Sequence, residues 1–253
     1  MIELKSEAEI ERMRKPARIT AEILAALREK ARPGVTTGDL DREAERLIVK
    51  SGARSAFKNY RVGNVVFPAV LCASVNDEIV HGIPSPTKEL AEGDIIGLDF
   101  GVEIDGFFAD AAVTIGIGKI DDDSARLIAA TEKCMLKGIE QACEGGRLGD
   151  IGSAVQEEAE AAGFSVVRDF VGHGIGRALH EDPQVPNFGK RGRGRTITRG
   201  MVLAIEPMVN AGSPAVKVDE DGWTARTADG RRSAHFEHTV AVTKRGPEIL
   251  TRV

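Results

Sequence analysis

The chain has 253 residues, with 34 Lys and Arg against 39 Asp and Glu, a formal charge of −5. That balance excludes a broadly basic nucleic-acid binder, and the length suffices to bury a core without staples. Three cysteines with no CxxC pair exclude a disulfide framework and a thiolate zinc site. No apolar run approaches the ~18 residues of a membrane span, and the charged start MIELKSEAEIERMRK shows no secretory pattern. A soluble, cytoplasmic globular protein is the expectation.

Residues 6–31 are predicted helical: Ser6 and Glu9 have capping-box spacing, and Ile10, Met13, Ile19, Ile23, Leu24 and Leu27 form a helical stripe. Pro16 marks a break or a first-turn position, and Arg32-Pro33-Gly34 ends the segment. A second helix, capped by Thr37 or Asp39, runs to about Lys50 with Leu40, Ala44, Leu47 and Ile48 inward. Val65–Ser74, Ile95–Ile104 and Phe107–Ile117 read as strands. A third helix covers about Asp122 to Cys143 and carries Cys134 and Cys143; a fourth covers about Asp150 to Ala162. Val202–Val209 and Ala234–Thr243 are again β-rich. The pattern is α+β. With no low-complexity linker between the halves, it is read as one unit over residues 1–253. Gly93-Asp94-Ile95-Ile96-Gly97-Leu98-Asp99 parallels Gly200-Met201-Val202-Leu203-Ala204-Ile205-Glu206, a trace of duplication short enough for chance also to produce it.

Asp105-Gly106 is a hairpin signal between apolar runs. If it is the turn, paired residue numbers sum to 211, so Asp99 faces Ala112 and Gly101 faces Asp110. Asp99 and Asp110 then share a face as diagonal neighbours, about 7–8 Å apart at the backbone. Leu98, Phe100, Val102 and Ile104 form the opposite, core face. Two readings stay open here: a solvated polar face, or a pair of acids gathered round a cation.

Gly172-His173-Gly174-Ile175-Gly176-Arg177-Ala178-Leu179-His180-Glu181 holds two of the five histidines. Its glycines disfavour a helix, and Pro183 weakens a phosphate-loop reading. Each histidine alone is more often a satisfied polar residue than a ligand. Glu206 follows an apolar strand, and Glu237 lies inside another. Asp99, Asp110, Glu206 and Glu237 together carry −4, which two divalent cations would balance at +4. Oxygen-rich ligation with one imidazole suits Mn, Fe(II) or Co, with Zn a further candidate.

These motifs resemble type I methionine aminopeptidases along nearly the whole chain. The matching stretches are Asn76 to Pro84 (NDEIVHGIP), the Asp99…Asp110 hairpin, GHGIGRALHEDPQVPN from Gly172, IEPMVNAG from Ile205, DGWT from Asp221 and FEHT from Phe236. The resemblance implies the pita-bread fold, a pseudo-two-fold, curved antiparallel sheet with helices on its outer face. It also implies a dinuclear enzyme that removes N-terminal methionine from peptides and nascent proteins ahead of a small second residue. The implied metal ligands are Asp99, Asp110, His173, Glu206 and Glu237. Asp110 and Glu237 would bridge, His173 and Glu206 would complete one site, and Asp99 would hold the other. Glu206 would shuttle a proton, His180 would bond the substrate carbonyl, and His81 would contact the scissile nitrogen. The alternative is a non-catalytic pita-bread binding protein.

The implied methionine pocket takes Cys72, His81 and Trp223, with Phe67 where the family often has Tyr, and Leu179 for a frequent Phe; His180 would bind substrate through the carbonyl. Arg61-Val62-Gly63-Asn64 reads as an insertion that makes Tyr60 the displaced pocket tyrosine; otherwise Asn64 takes that position. No nucleophilic role is expected for Cys72. The basic run Lys190 to Arg195 is read as a solvated loop, with ribosomal-RNA contact as the alternative. Peptide and nascent-protein N-termini are the expected partners, the ribosome a further candidate, with neither DNA nor membrane. The chain is expected to be a monomer.

Overall fold

In the computed structural model, which describes residues 2–252, helices form where capping and stripe coincide. In α1 (Glu7–Lys30) the Glu9 carboxylate accepts the Ser6 N–H at 2.9 Å, and the Ser6 hydroxyl caps the Glu9 N–H. The helix runs through Pro16 without a break, because Met13, Pro16, Ala17 and Thr20 are all buried on one side of it. α2 (Thr37–Ser51) is capped by Thr36, one residue earlier than expected, and Asp39 completes its box by accepting the Thr36 N–H at 3.0 Å. α3 (Asp122–Glu140) stops short of Cys143, which is exposed, while Cys134 is buried within it. α4 (Leu148–Ala161) starts ahead of Asp150, whose carboxylate accepts the Arg147 N–H at 2.7 Å.

The main sheet has nine strands: β1 Arg54–Ser55, β2 Cys72–Val75, β3 Ile95–Ile104, β4 Phe107–Gly116, β5 Gly172–Gly174, β6 Glu181–Val185, β7 Val202–Ile205, β8 Glu237–Thr243 and β9 Gly246–Ile249. Their order is β1-β3-β4-β8-β7-β5-β6, with β2 also on β3 and β9 also on β8. Every pairing is antiparallel. The two segments suspected of duplication are β3 and β7, placed on either side of the β4–β8 seam.

Helices cover one face. Ile23, Leu24, Leu27 and Leu40 pack with Ile96, Leu98, Phe100 and Val102, and Met135, Ile139 and Ile151 pack with Leu203, Ile205, Val240 and Val242. Each such fully buried side chain contributes about 1.5–3 kcal/mol. Ile104, expected in the core, is only partly buried beside the hairpin turn.

Three expected strands are divided. Val65–Ser74 breaks at Pro68, and Val202–Val209 breaks at Pro207, each proline lacking the N–H a ladder needs. Ala234–Thr243 divides at Phe236. The glycine-rich run holds a strand, β5, which had no strand signal. It lies in a slot where a Cβ on Gly172 would meet the Ala204 carbonyl at 2.3 Å, and one on Gly174 the Asp182 carbonyl at 2.3 Å.

Candidate active site

Asp105 and Gly106 sit at φ +55° and +78°, the two positive values of a type I′ turn. The β3–β4 ladder follows the predicted register from Ile95↔Gly116 to Ile104↔Phe107. One row crosses four strands as Cys72↔Asp99↔Ala112↔Glu237. His173 lies opposite Ala204. Glu206 follows β7, and continuing the β7–β8 register (205 with 238, so 206 with 237) sets it opposite Glu237. Neighbouring strands thus deliver all five proposed ligands to one place.

There, atoms of Asp110, His173 and Glu237 lie within 4.8 Å of one another. His173 Nε2 is 3.4 Å from Glu206 Oε1, and the Asp99 carboxyl contacts that of Asp110. Asp99 Oδ1, Asp110 Oδ1 and Glu237 Oε1 are buried without a hydrogen-bond partner. The His173 Nδ1 lies 2.8 Å from the Gly174 carbonyl oxygen. A carbonyl only accepts, so Nδ1 carries the proton and Nε2 is left as a bare donor atom toward the acids.

Burial sets the charge state. It drives the carboxyls of Asp99, Glu206 and Glu237 well above the usual carboxylate range, with mutual repulsion adding to it. Burial raises Asp110 to about 7. It lowers His173 to about 3 and His81 to about 4, with His180 adding to both, and it lowers His180 itself. Orphaned acidic oxygens beside a neutral imidazole fit divalent cations, whose charge reverses this cost.

The β4–β8 seam has a device the sequence did not reveal. Direct pairing covers only Ala112↔Glu237 and Ala111↔His238. On one side the Thr239 hydroxyl donates to the Asp110 carbonyl at 2.8 Å and accepts the Asp110 N–H at 3.1 Å. On the other the Thr114 hydroxyl donates to the His235 carbonyl at 2.8 Å and accepts the His235 N–H at 2.8 Å. Both threonines are buried. Each inserts a side chain where a ladder bond would otherwise run, so the strands spread at both ends of the seam while their polar groups stay paired.

Around the acids is a cavity of about 510 Å³. Tyr60, Phe67, Cys72, His81, His180 and Trp223 all line it, whereas Asn64 does not. The Phe67 and Trp223 rings meet edge-on at 5.3 Å, and His81 stands 6.1 Å from Trp223 and 5.5 Å from Phe170. His180 is at the mouth, open to solvent on one side, with its Nδ1 2.7 Å from the Tyr60 hydroxyl. Burial and nearby acids push the Cys72 thiol upward, away from a thiolate nucleophile.

Leu179, read from the sequence as a pocket residue, lines the cavity. Several other wall residues had no sequence assignment: Phe57, Val62 and Phe170 line the cavity, and so does His235, whose buried Nε2 is 3.8 Å from Glu206 Oε2. Asn187 donates to the Glu206 backbone carbonyl at 3.1 Å. Their signal is tertiary, apart from His235, which the sequence places two residues before Glu237, and Asn187, which ends the motif that starts at Gly172. The run 190–195 lies outside the cavity as an exposed loop on the start of α4, where Asp150 accepts the Gly192 N–H. Among the described residues, no helix is long and apolar enough to cross a membrane.

A curved antiparallel sheet backed by helices, with buried acids and a histidine at its seam, defines a pita-bread protein with a metal-binding cavity. A methionine aminopeptidase of Clostridium perfringens is 55% identical over 253 residues, covering all of both chains. The solved methionine aminopeptidase of Thermotoga maritima is 45% identical with a TM-score of 0.96, again covering both chains fully. The prolidase of Pyrococcus furiosus shares the fold alone, at 20% identity and a TM-score of 0.78, over 99% of this chain and 65% of its own. The chain belongs to metallopeptidase family M24, whose pattern it matches over residues 11–244.

Proposed function

We propose that this chain is a dinuclear metal-dependent aminopeptidase that releases N-terminal methionine from peptides and nascent proteins and favours a small second residue. The observation that carries the proposal is the convergence of Asp99, Asp110, His173, Glu206 and Glu237, with three orphaned acidic oxygens among them. Asp110 and Glu237, in reach of each other and of His173, would help hold both metals. His173 and Glu206 would complete one site and Asp99 the other. Divalent cations held there (Mn, Fe(II) or Co, with Zn a further candidate) supply Lewis-acid polarisation of the scissile carbonyl and a strengthened water nucleophile. Ligands come from both halves of the chain, which supports residues 1–253 acting as a single catalytic unit.

The remaining chemistry belongs to side chains. Glu206 would take the proton of the attacking water and pass it on toward the leaving amine, acting first as general base and then as general acid. His180 donates from Nε2 to the substrate carbonyl, where negative charge grows. For that, its Nδ1 must accept, so the Tyr60 hydroxyl is the donor in their 2.7 Å bond. His81 stays neutral and faces the scissile nitrogen. Phe67, Trp223 and Cys72 enclose the methionine side chain, with ring edges toward its sulfur.

We place the enzyme in the cytoplasm as a monomer. We keep the solvated-loop reading of the exposed run 190–195, with ribosomal-RNA contact as the alternative. The test of function is turnover of Met-Ala-Ser after chelation and re-addition of Mn²⁺, Fe²⁺ or Co²⁺, with Met-Leu and non-methionine peptides as controls. Metal-dependent methionine release restricted to the small second residue is expected. Binding of peptide without release, at every metal, would establish the non-catalytic alternative instead.

A further inference from the structure

The insertion after Tyr60 folds as a two-stranded ribbon. Arg61–Val62 pairs antiparallel with Val65–Val66, and Gly63-Asn64 is the turn, with Gly63 at φ +56°. A positive φ at the first central position alone fits a type II′ turn, whose twist suits a tight hairpin. The base of the ribbon is pinned beside the cavity. The Phe67 N–H donates to the Tyr60 carbonyl at 2.9 Å, and the Asn59 N–H donates to the Phe67 carbonyl at 3.0 Å.

Val62 and Val65 are directly opposed and so share one face of the ribbon. That face turns toward the cavity mouth. Val62 lines the cavity, and Val65 Cγ1 lies against Gly222, next to Trp223, 3.2 Å from where a Cβ on Gly222 would stand. Even so, Val62 is 54% exposed and Val65 37%. An apolar face left in water gains from contact with something else, and here it continues the wall of the proposed active site. A peptide with its first residue over the acids and its scissile bond at His180 must leave through this mouth.

We infer that the ribbon binds the third and later residues of the peptide, and that Val62 gives the enzyme a preference for an apolar third residue. The inference rests on the aminopeptidase reading above. The ribbon's two strands also leave open edges on which an extended peptide can pair through its backbone.

The test compares kcat/KM for Met-Ala-Leu-Ser and Met-Ala-Ser-Ser in the metal-loaded protein and its V62S variant. Val62 is mostly in solvent, so the substitution leaves the fold intact, checked by circular dichroism. The expected Leu-to-Ser preference is about fivefold, as one partly buried apolar side chain confers. In V62S it falls to about unity. An unchanged ratio in V62S overturns the inference and leaves the aminopeptidase reading standing. Absence of methionine release from both peptides overturns that reading and the inference with it.

Discussion

Replacing Thr239 by Val keeps the side-chain shape and removes only the hydroxyl. That hydroxyl is the partner of both backbone polar groups of Asp110, at 3.1 Å and 2.8 Å, and Thr239 is fully buried. Losing it strands a buried N–H and a buried C=O, each costing about 1–3 kcal/mol before relaxation. A net loss of roughly 2–4 kcal/mol follows, which for a protein of this size lowers Tm by about 5–15 °C. T239S retains the hydroxyl and loses one methyl, about 1 kcal/mol. The order of stability by thermal and denaturant unfolding is therefore wild type, then T239S, then T239V. Metal affinity in T239V should fall about 10-fold or more, because Asp110 loses the support of its backbone. A T239V protein as stable as T239S, binding metal as tightly as wild type, would refute the claim that the hydroxyl holds the seam.

Two further outcomes follow from other parts of the structure. H180A should retain its metal by elemental analysis while kcat falls about 10²–10³-fold, since only a carbonyl-oxygen donor is lost; loss of metal instead would make His180 a ligand. Glu9 is held at about 2 by the Ser6 N–H first, then the Ser6 hydroxyl and Arg177. Its folded pKa lies below the usual 4.5, so its stabilising effect is present above that value and disappears as pH falls toward 2. E9Q should therefore be less stable than wild type at pH 6 and approach it as pH falls through 2 in denaturant titrations, the difference being small because Glu9 lies at the surface with its side chain 23% exposed. A pH-independent difference would mean that the carboxylate charge plays no part.

What could be read from the sequence was governed by short-range rules. The Asp105-Gly106 turn sets the whole β3–β4 register, because a two-residue loop leaves one way to pair the strands. That register alone brings Asp99 and Asp110 to one face. Local capping signals located α1 and α2 to within a residue or two: the Ser6–Glu9 box for the first and a Thr37 or Asp39 cap candidate for the second, where the box is in fact Thr36–Asp39. By contrast, Glu206 and Glu237 read only as acids in or after apolar strands. Their meeting depends on β7 pairing with β8 across more than thirty residues of chain, which no local pattern encodes. The β5 strand was hidden for a related reason: its glycines serve backbone contacts with β6 and β7, and in the sequence they resemble a loop. Wall residues such as Phe57 and Phe170 were given no role by any motif, and nothing local distinguishes them from core.

The proposed site is assembled at the seam between the two halves of the chain. Asp99 and Asp110 come from the hairpin of the first half; His173, Glu206 and Glu237 come from the second. The halves meet in the main sheet through two residue pairs and two threonine hydroxyls, and the proposed ligands stand at that junction. Neither half alone holds more than part of the donor set, so the suspected repeat of β3 in β7 bears on function. Asp99 and Glu206, the carboxylates that end the two similar segments, stand on opposite flanks of Asp110 and Glu237, the pair proposed to bridge. A fully laddered seam would draw β4 and β8 together along their length. The threonines keep them apart at both ends, which leaves room at the junction for side chains that no core would otherwise tolerate.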